Sequence, residues 1–184
     1  MSVAHEVPLL SWDDYLDLPG ETRNTDLIDG KLVMNAPSAQ HERVLSNLLF
    51  AIRLWRRDVG RLGEWTTQQP VQVASHRGYQ PDASWFPVEQ CAPTEQAASY
   101  TGLPAIVVEV LSPSTRSIDL LRKRGDYERL AIAEMWVLDP VSSSALVLRL
   151  VGDRYVDVPL TADDPLTSPL LPGFATPVGS LFVG

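Results

Sequence analysis

The segment Pro104-Ala-Ile-Val-Val-Glu-Val-Leu-Ser-Pro113 constrains this chain more than any other. Ala105 to Leu111 is apolar at nearly every position and rich in Val and Ile. That pattern predicts a strand buried on both faces, in the middle of a sheet with helices on each side. Glu109 interrupts it. A carboxylate in such a strand costs several kcal/mol unless something positive compensates it. The run ends at once in Ser112-Pro113-Ser114, so Glu109 falls near the strand's carboxyl end, where open sheets of this kind carry their sites. A metal ion, an arginine or a lysine is therefore expected beside it.

Two further residues complete a chemical pattern. Asp82, in Pro81-Asp82, follows another strand-like segment, and Lys123 lies on the helix expected after Glu109. Together the three make the skeleton of a divalent-metal phosphodiesterase site. Asp82, Glu109 and the backbone carbonyl of Val110 are hard oxygen ligands for Mg²⁺ or Mn²⁺, and the ammonium of Lys123 offsets charge at phosphorus. The plainer alternative makes Lys123 a surface partner of Asp119, four residues earlier on the same helix. Against it, the chain has thirteen arginines and only two lysines, Lys31 and Lys123. A rare point charge stands where the chemistry wants one.

An ordered set of blocks then carries a resemblance. Pro81-Asp82, Glu109-Val-Leu-Ser-Pro-Ser-Thr115, Asp119, Lys123, Tyr127 and Trp136-Val-Leu-Asp-Pro140 resemble the Uma-type bacterial restriction endonuclease family, within the PD-(D/E)xK nuclease superfamily. Asp26-Leu-Ile-Asp-Gly-Lys-Leu-Val-Met34 and His41 also fit, so the resemblance covers roughly residues 10 to 150. It implies an α/β fold with a restriction-endonuclease-like core: a mixed central sheet flanked by helices, with additional β-hairpins. One departure stands out. The superfamily pattern places lysine two residues after the glutamate, where this chain has Leu111, and Lys123 on the following helix takes its place. Asp26 occupies a position where the family usually has glutamate, and reads either as an exposed strand-end acid or as part of the metal or water network. With Asp26, the accessory candidates are His41, Asp119 and Tyr127.

A chain of 184 residues suits one domain with a full core. No apolar run approaches the ~20 residues of a membrane span, and the first residues carry no signal-peptide pattern. The single Cys91 agrees with a reducing cytoplasm. A formal charge of −8 and pI near 4.8 exclude a protein that coats nucleic acid non-specifically. Two segments concentrate the basic residues: Arg43, Arg53, Arg56, Arg57 and Arg61, then Arg116, Arg122, Lys123, Arg124 and Arg129. If both face one cleft, a local positive surface survives the acidic average.

Local signals place the remaining elements. Ser11 and Asp14 have capping-box spacing at the head of a short helix, and Asp29-Gly30 turns a hairpin. Ser38 caps a long helix whose Val44, Leu45, Leu48, Leu49, Ile52 and Trp55 form a core stripe. His41, in its first turn, serves either as a structural histidine or as a phosphate or water contact. Tyr79 to Phe86 reads as a strand carrying Asp82, in which Pro81 marks an edge, a bulge or a strand start. Residues 87 to 103 read as a surface connection, and Ser117 as the cap of a helix to about Leu130. Gly152-Asp153 turns a second hairpin, and the tail from Thr161 is expected to wrap the domain or add an edge strand.

The reading that follows is metal-dependent hydrolysis of nucleic acid, DNA above all, by a cytoplasmic homodimer whose two sites serve the two strands of a duplex. A non-catalytic nuclease-fold module that binds a protein or nucleic-acid partner is the alternative. A carboxylate-pair glycosidase using Asp82 and Glu109 ranks third, because Trp65, Trp85 and Trp136 read as core rather than as a sugar cleft.

Overall fold

The computed structural model describes residues 9–18, 24–60, 62–91, 100–112 and 118–184, with only the backbone of residues 118–120. Ser11 caps a short helix, α1 (Trp12–Leu16), and reciprocates with Asp14 as the capping box requires. The hairpin of β1 (Thr25–Ile28) and β2 (Lys31–Met34) turns at Asp29-Gly30, both with positive φ, as a two-residue turn matching strand twist demands. Ser38 accepts the His41 amide at the head of α2 (Ala39–Val59), which buries Val44, Leu45, Leu48 and Ile52.

The chain continues through β3 (Gly63–Thr66), β4 (Val71–Ala74), β5 (Arg77–Tyr79) and β6 (Ala83–Pro87). The segment from Tyr79 to Phe86 is therefore not one strand. It breaks at Gln80-Pro81-Asp82, because Pro81 has no N–H for a ladder, and the halves join different sheets. Then come β7 (Ile106–Val110), a turn of wide π-type helix (Ile118–Lys123) and α3 (Arg124–Arg129). Ser117 and most of the 87–103 connection lie outside the described residues. The rest is β8 (Glu134–Asp139), the hairpin of β9 (Ser144–Val151) and β10 (Arg154–Leu160), then β11 (Pro165–Thr167) and β12 (Ala175–Pro177).

Six strands form the main sheet in the order β10-β9-β8-β7-β6-β3, and β2-β1-β5-β4 form a second. Among the described strands, only β7 and β8 pair in parallel, so their connection must be a crossover. The π turn and α3 provide it. This is the mixed sheet with helices and hairpins that the sequence implies. All five residues of β7 are buried, and their alternation decides what they meet. Ile106, Val108 and Val110 pack with α2 and the chain's tail. Val107 and Leu111 pack with Ile28, Tyr79 and Tyr127, from the second sheet and α3. Glu109 shares that second face by the period of two.

The tail adds no edge strand to either larger sheet. Its β11 and β12 pair with each other, and Leu166, Leu171, Phe174, Val178 and Leu181 join the core under α2. The second sheet closes on α1 through Gly78, where a Cβ would stand 1.8 Å from the Trp12 ring. No described helix is long and apolar enough to cross a membrane.

Candidate active site

Glu109 emerges near the carboxyl end of β7 with 3% exposure, and Lys123, at 2%, is its counter-ion. Lys123 Nζ donates to Glu109 Oε2 at 2.7 Å and stands 3.4 Å from Asp26 Oδ2. It also lies 5.4 Å from the centre of the Tyr79 ring, a cation–π contact that partly replaces lost hydration. One turn along α3, the Tyr127 hydroxyl donates to Glu109 Oε1 at 2.9 Å. Burial, with the Glu109 and Asp26 charges adding to it, pushes the Tyr127 phenol well above its ordinary value, so Tyr127 stays a donor. Lys123 closes the π turn, a widening that often marks functional positions.

Asp82 sits on the bend before β6. Antiparallel pairing of β6 with β7 stops at Ala83 opposite Val108, and the Asp82 side chain extends the ladder. Its Oδ2 accepts the Val110 amide at 2.6 Å. The same oxygen lies 3.1 Å from His41 Nε2, which donates to it, since an ionised carboxylate only accepts. His41, 7% exposed, thus reaches from the first turn of α2 to the bend. Asp26, on β1, accepts the Gln80 amide at 2.8 Å on one oxygen and Asn35 Nδ2 at 3.0 Å on the other.

Asn35, His41, Asp82, Glu109, Val110 and Lys123 line one cleft of about 20 Å³, with Gln80 and Ser112 beside them. That is room for one water or one ion. Among the described side chains, Asp26, Asp82 and Glu109 against Lys123 leave a formal excess of two negative charges, the amount a divalent cation cancels. Among the described residues, no group of three or more His, Cys, Asp and Glu side chains is arranged to hold a metal. Mg²⁺ does not need one, because it keeps several waters and is bound through one or two carboxylates. Two hard carboxylates in a cleft of one-ion size with that charge excess fit Mg²⁺ or Mn²⁺.

A second knot of polar residues braces the first, and sequence reasoning missed it. Asp126, buried on α3, accepts the Tyr79 hydroxyl and pairs with Arg77 and Arg129. Arg77 also holds Asp29 in the hairpin turn, and its hydrogen bond keeps the Asp29 carboxyl below its usual range. Through this knot the β1–β2 hairpin, β5 and α3 are tied together around the Lys123 ammonium. Asp126 precedes Tyr127 on the inward side of α3, and an acid on a face otherwise apolar was the available signal. Gln80 and Asn35, the donors to Asp26, gave none.

The structure thus brings Asp26, His41, Asp82, Glu109, Val110, Lys123 and Tyr127 together. The side chain of Asp119 lies outside the described residues, so its pairing with Lys123 does too; the amine itself is directed at Glu109 and Asp26. Among the described residues, the two basic segments do not make one positive cleft. Arg53, Arg56 and Arg57 lie at least about 18 Å beyond His41 along α2. Arg56 pairs with Glu64, Arg122 with Asp29 and Arg124 with Asp157, while Arg61 and Arg116 lie outside the described residues. None of the described tryptophans lines the cleft of Asp82 and Glu109: Trp85 and Trp136 are buried, and Trp65 packs against Trp136 at 5.8 Å.

Comparison with known proteins agrees with this fold. The model of the Uma2 family, described as putative restriction endonuclease, matches residues 12–179. Among solved structures, the fold is similar to the crystal structure of a putative nuclease belonging to DUF820 from Anabaena variabilis. The TM-score is 0.77 and the identity 17%, over 94% of this chain and 97% of that one. No curated protein matches.

Proposed function

The chain belongs to the Uma2 family, and from that premise we propose that it is a metal-dependent endonuclease that hydrolyses phosphodiester bonds of DNA. The single observation carrying this reading is the buried Glu109–Lys123 pair, 2.7 Å apart, opening on the same cleft as Asp82. Asp82, Glu109 and the Val110 carbonyl would hold Mg²⁺ or Mn²⁺, which when bound supplies Lewis-acid polarisation of a phosphate and a water made more acidic.

The chain's own residues do the rest. Lys123, fixed by Glu109, Asp26 and the Tyr79 ring, places its positive charge beside the cleft and offsets charge growing on an oxygen there. Tyr127 holds Glu109 in one rotamer. His41 fixes the Asp82 carboxylate and prevents it from swinging into solvent. Asn35 and the Gln80 amide do the same for Asp26. Two copies, each cutting one strand of a duplex, fit the reading, as does a cytoplasmic site of action.

The test is nicking of supercoiled DNA with Mg²⁺ or Mn²⁺. Wild type is expected to nick. Glu109→Ala and Asp82→Asn, the second at a bend that tolerates the change, should lose about 100-fold or more. Equal trace activity in all three at matched purity sinks the enzyme. One observation favours a second reading, a non-catalytic module of nuclease fold: Lys123 and Tyr127 already occupy both Glu109 oxygens. Calorimetric titration separates the two. Mg²⁺ or Mn²⁺ binding abolished by Asp82→Asn belongs to the enzyme, and its absence to the module.

A further inference from the structure

A second cleft, of about 400 Å³, opens between α2 and β3 and is lined by Leu49, Ile52, Arg53, Trp65, Thr66 and Thr67, with Arg56 at its rim. We propose that this cleft is a docking subsite for the nucleic-acid strand, in which Arg53 binds a backbone phosphate a few nucleotides from the bond that is cut. The proposal rests on the nuclease reading and adds to it where the substrate lies.

Charge is the first argument. In a protein of net charge −8, nearly every described arginine is committed to an acid. Arg56 makes two hydrogen bonds to Glu64 at 2.8 Å each, and Arg57 lies beside Asp58. Arg53 is exposed and has no hydrogen bond or ion pair among the described residues. Among the described residues no acid lines the cleft, and its second arginine, Arg56, is paired with Glu64, so the Arg53 guanidinium gives the cleft its net sign. Its planar fork suits phosphate oxygens.

The walls are the second. The hydroxyls of Thr66 and Thr67 have no partner among the described residues, and neither does the shielded indole N–H of Trp65. Donors around an unpaired cation are the composition of a phosphate contact. Leu49, Ile52 and the Trp65 ring offer apolar surface to a sugar or base. The volume is that of a small-ligand pocket.

Position is the third. The Gln68 amide, next to Thr67, donates to the Pro81 carbonyl at 3.1 Å, and Pro81 precedes Asp82. Thr67 therefore lies about 10 Å from Asp82, two Cα steps and one hydrogen bond away. Arg53 lies about 18 Å along α2 from His41. At 3.4 Å per nucleotide, the cleft lies about three to five nucleotides from Asp82.

Fluorescence anisotropy with a labelled duplex oligonucleotide, in chelator and over a series of salt concentrations, tests this beside the nicking assay. Arg53→Ala should bind about tenfold more weakly and lower the slope of log K against log salt by about one. Arg53→Lys should keep the slope. Arg43→Ala removes the same charge from α2 beside the Gly184 terminus and should bind as wild type does. Wild-type affinity and slope in Arg53→Ala overturn the subsite while leaving the nuclease reading to the nicking result. An equal loss in Arg43→Ala overturns it as well, since the effect is then one of overall charge. Failure of wild type to bind any oligonucleotide overturns the subsite and the nucleic-acid substrate together.

Discussion

Lys123 and Glu109 are buried at 2% and 3% exposure, and neither is tolerable there without the other. The attraction of such a pair roughly balances the loss of hydration, but removing one member strands a charge. Lys123→Met leaves Glu109 and Asp26 facing each other uncompensated. It should destabilise the fold by about 3–5 kcal/mol in chelator, measured by urea unfolding. Glu109→Gln/Lys123→Met should be less destabilised than Lys123→Met alone. Mg²⁺ should raise the thermal midpoint of Lys123→Met more than that of wild type, because the cation then supplies the missing positive charge. No such difference would mean that these carboxylates do not bind it. Tyr127→Phe is a milder change. It removes one donor from a buried carboxylate and should cost about 1–3 kcal/mol.

At the scale of elements, what could be read from sequence was what is local. The Val-rich run of β7, the Asp29-Gly30 turn, the Ser11 capping box and the α2 stripe each depend on neighbours within a turn or a strand. The pairing partners of the polar residues did not follow. His41 and Asp82 are joined through the fold, as are Asp26 and Gln80, and Asp126 gathers Tyr79, Arg77 and Arg129 from three elements. Glu109 was legible because an acid in an apolar strand demands a counter-charge. The scarcity of lysine then pointed to Lys123. Asp126 made no comparable demand on a short amphipathic helix. Which of the two expected courses the tail takes did not follow, because β11 and β12 are only three residues each, too short for a periodicity. Yet it closes the core. Phe174 stacks on Trp136 at 6.0 Å and meets Trp55 edge-on at 5.8 Å. Phe174→Ala should destabilise by about 3–5 kcal/mol in denaturant unfolding. Because β11 and β12 lie on the α2 side of β7, the Mg²⁺ affinity of the folded variant should not change.

Across the whole molecule, the second core cluster is sealed by phenols rather than by hydrocarbon alone. Tyr79, Tyr127 and Tyr155 lie within it, from β5, α3 and β10. Burial is the largest cause in raising all three above the ordinary tyrosine value. At Tyr127 the Glu109 charge adds to it; at Tyr79 the Arg77 and Lys123 charges oppose it. A group whose folded value is raised holds its proton more tightly in the folded state. Its stabilisation is complete below the unfolded value, near pH 10, and is lost as pH rises toward the folded values. These tyrosines should therefore contribute nothing to pH dependence near neutrality and much above about pH 10. Since Tyr127 ties α3 to Glu109 and Tyr155 ties β10 to the Ile132 carbonyl, ionising them should take the fold with them. Tyrosinate absorbance is expected to rise in step with the loss of far-ultraviolet circular dichroism. Smooth titration of all five tyrosines with the helix and sheet signal intact would mean that the face of β7 carrying Glu109 is open to solvent. The dry surroundings that make Lys123 its obligatory partner would then be absent.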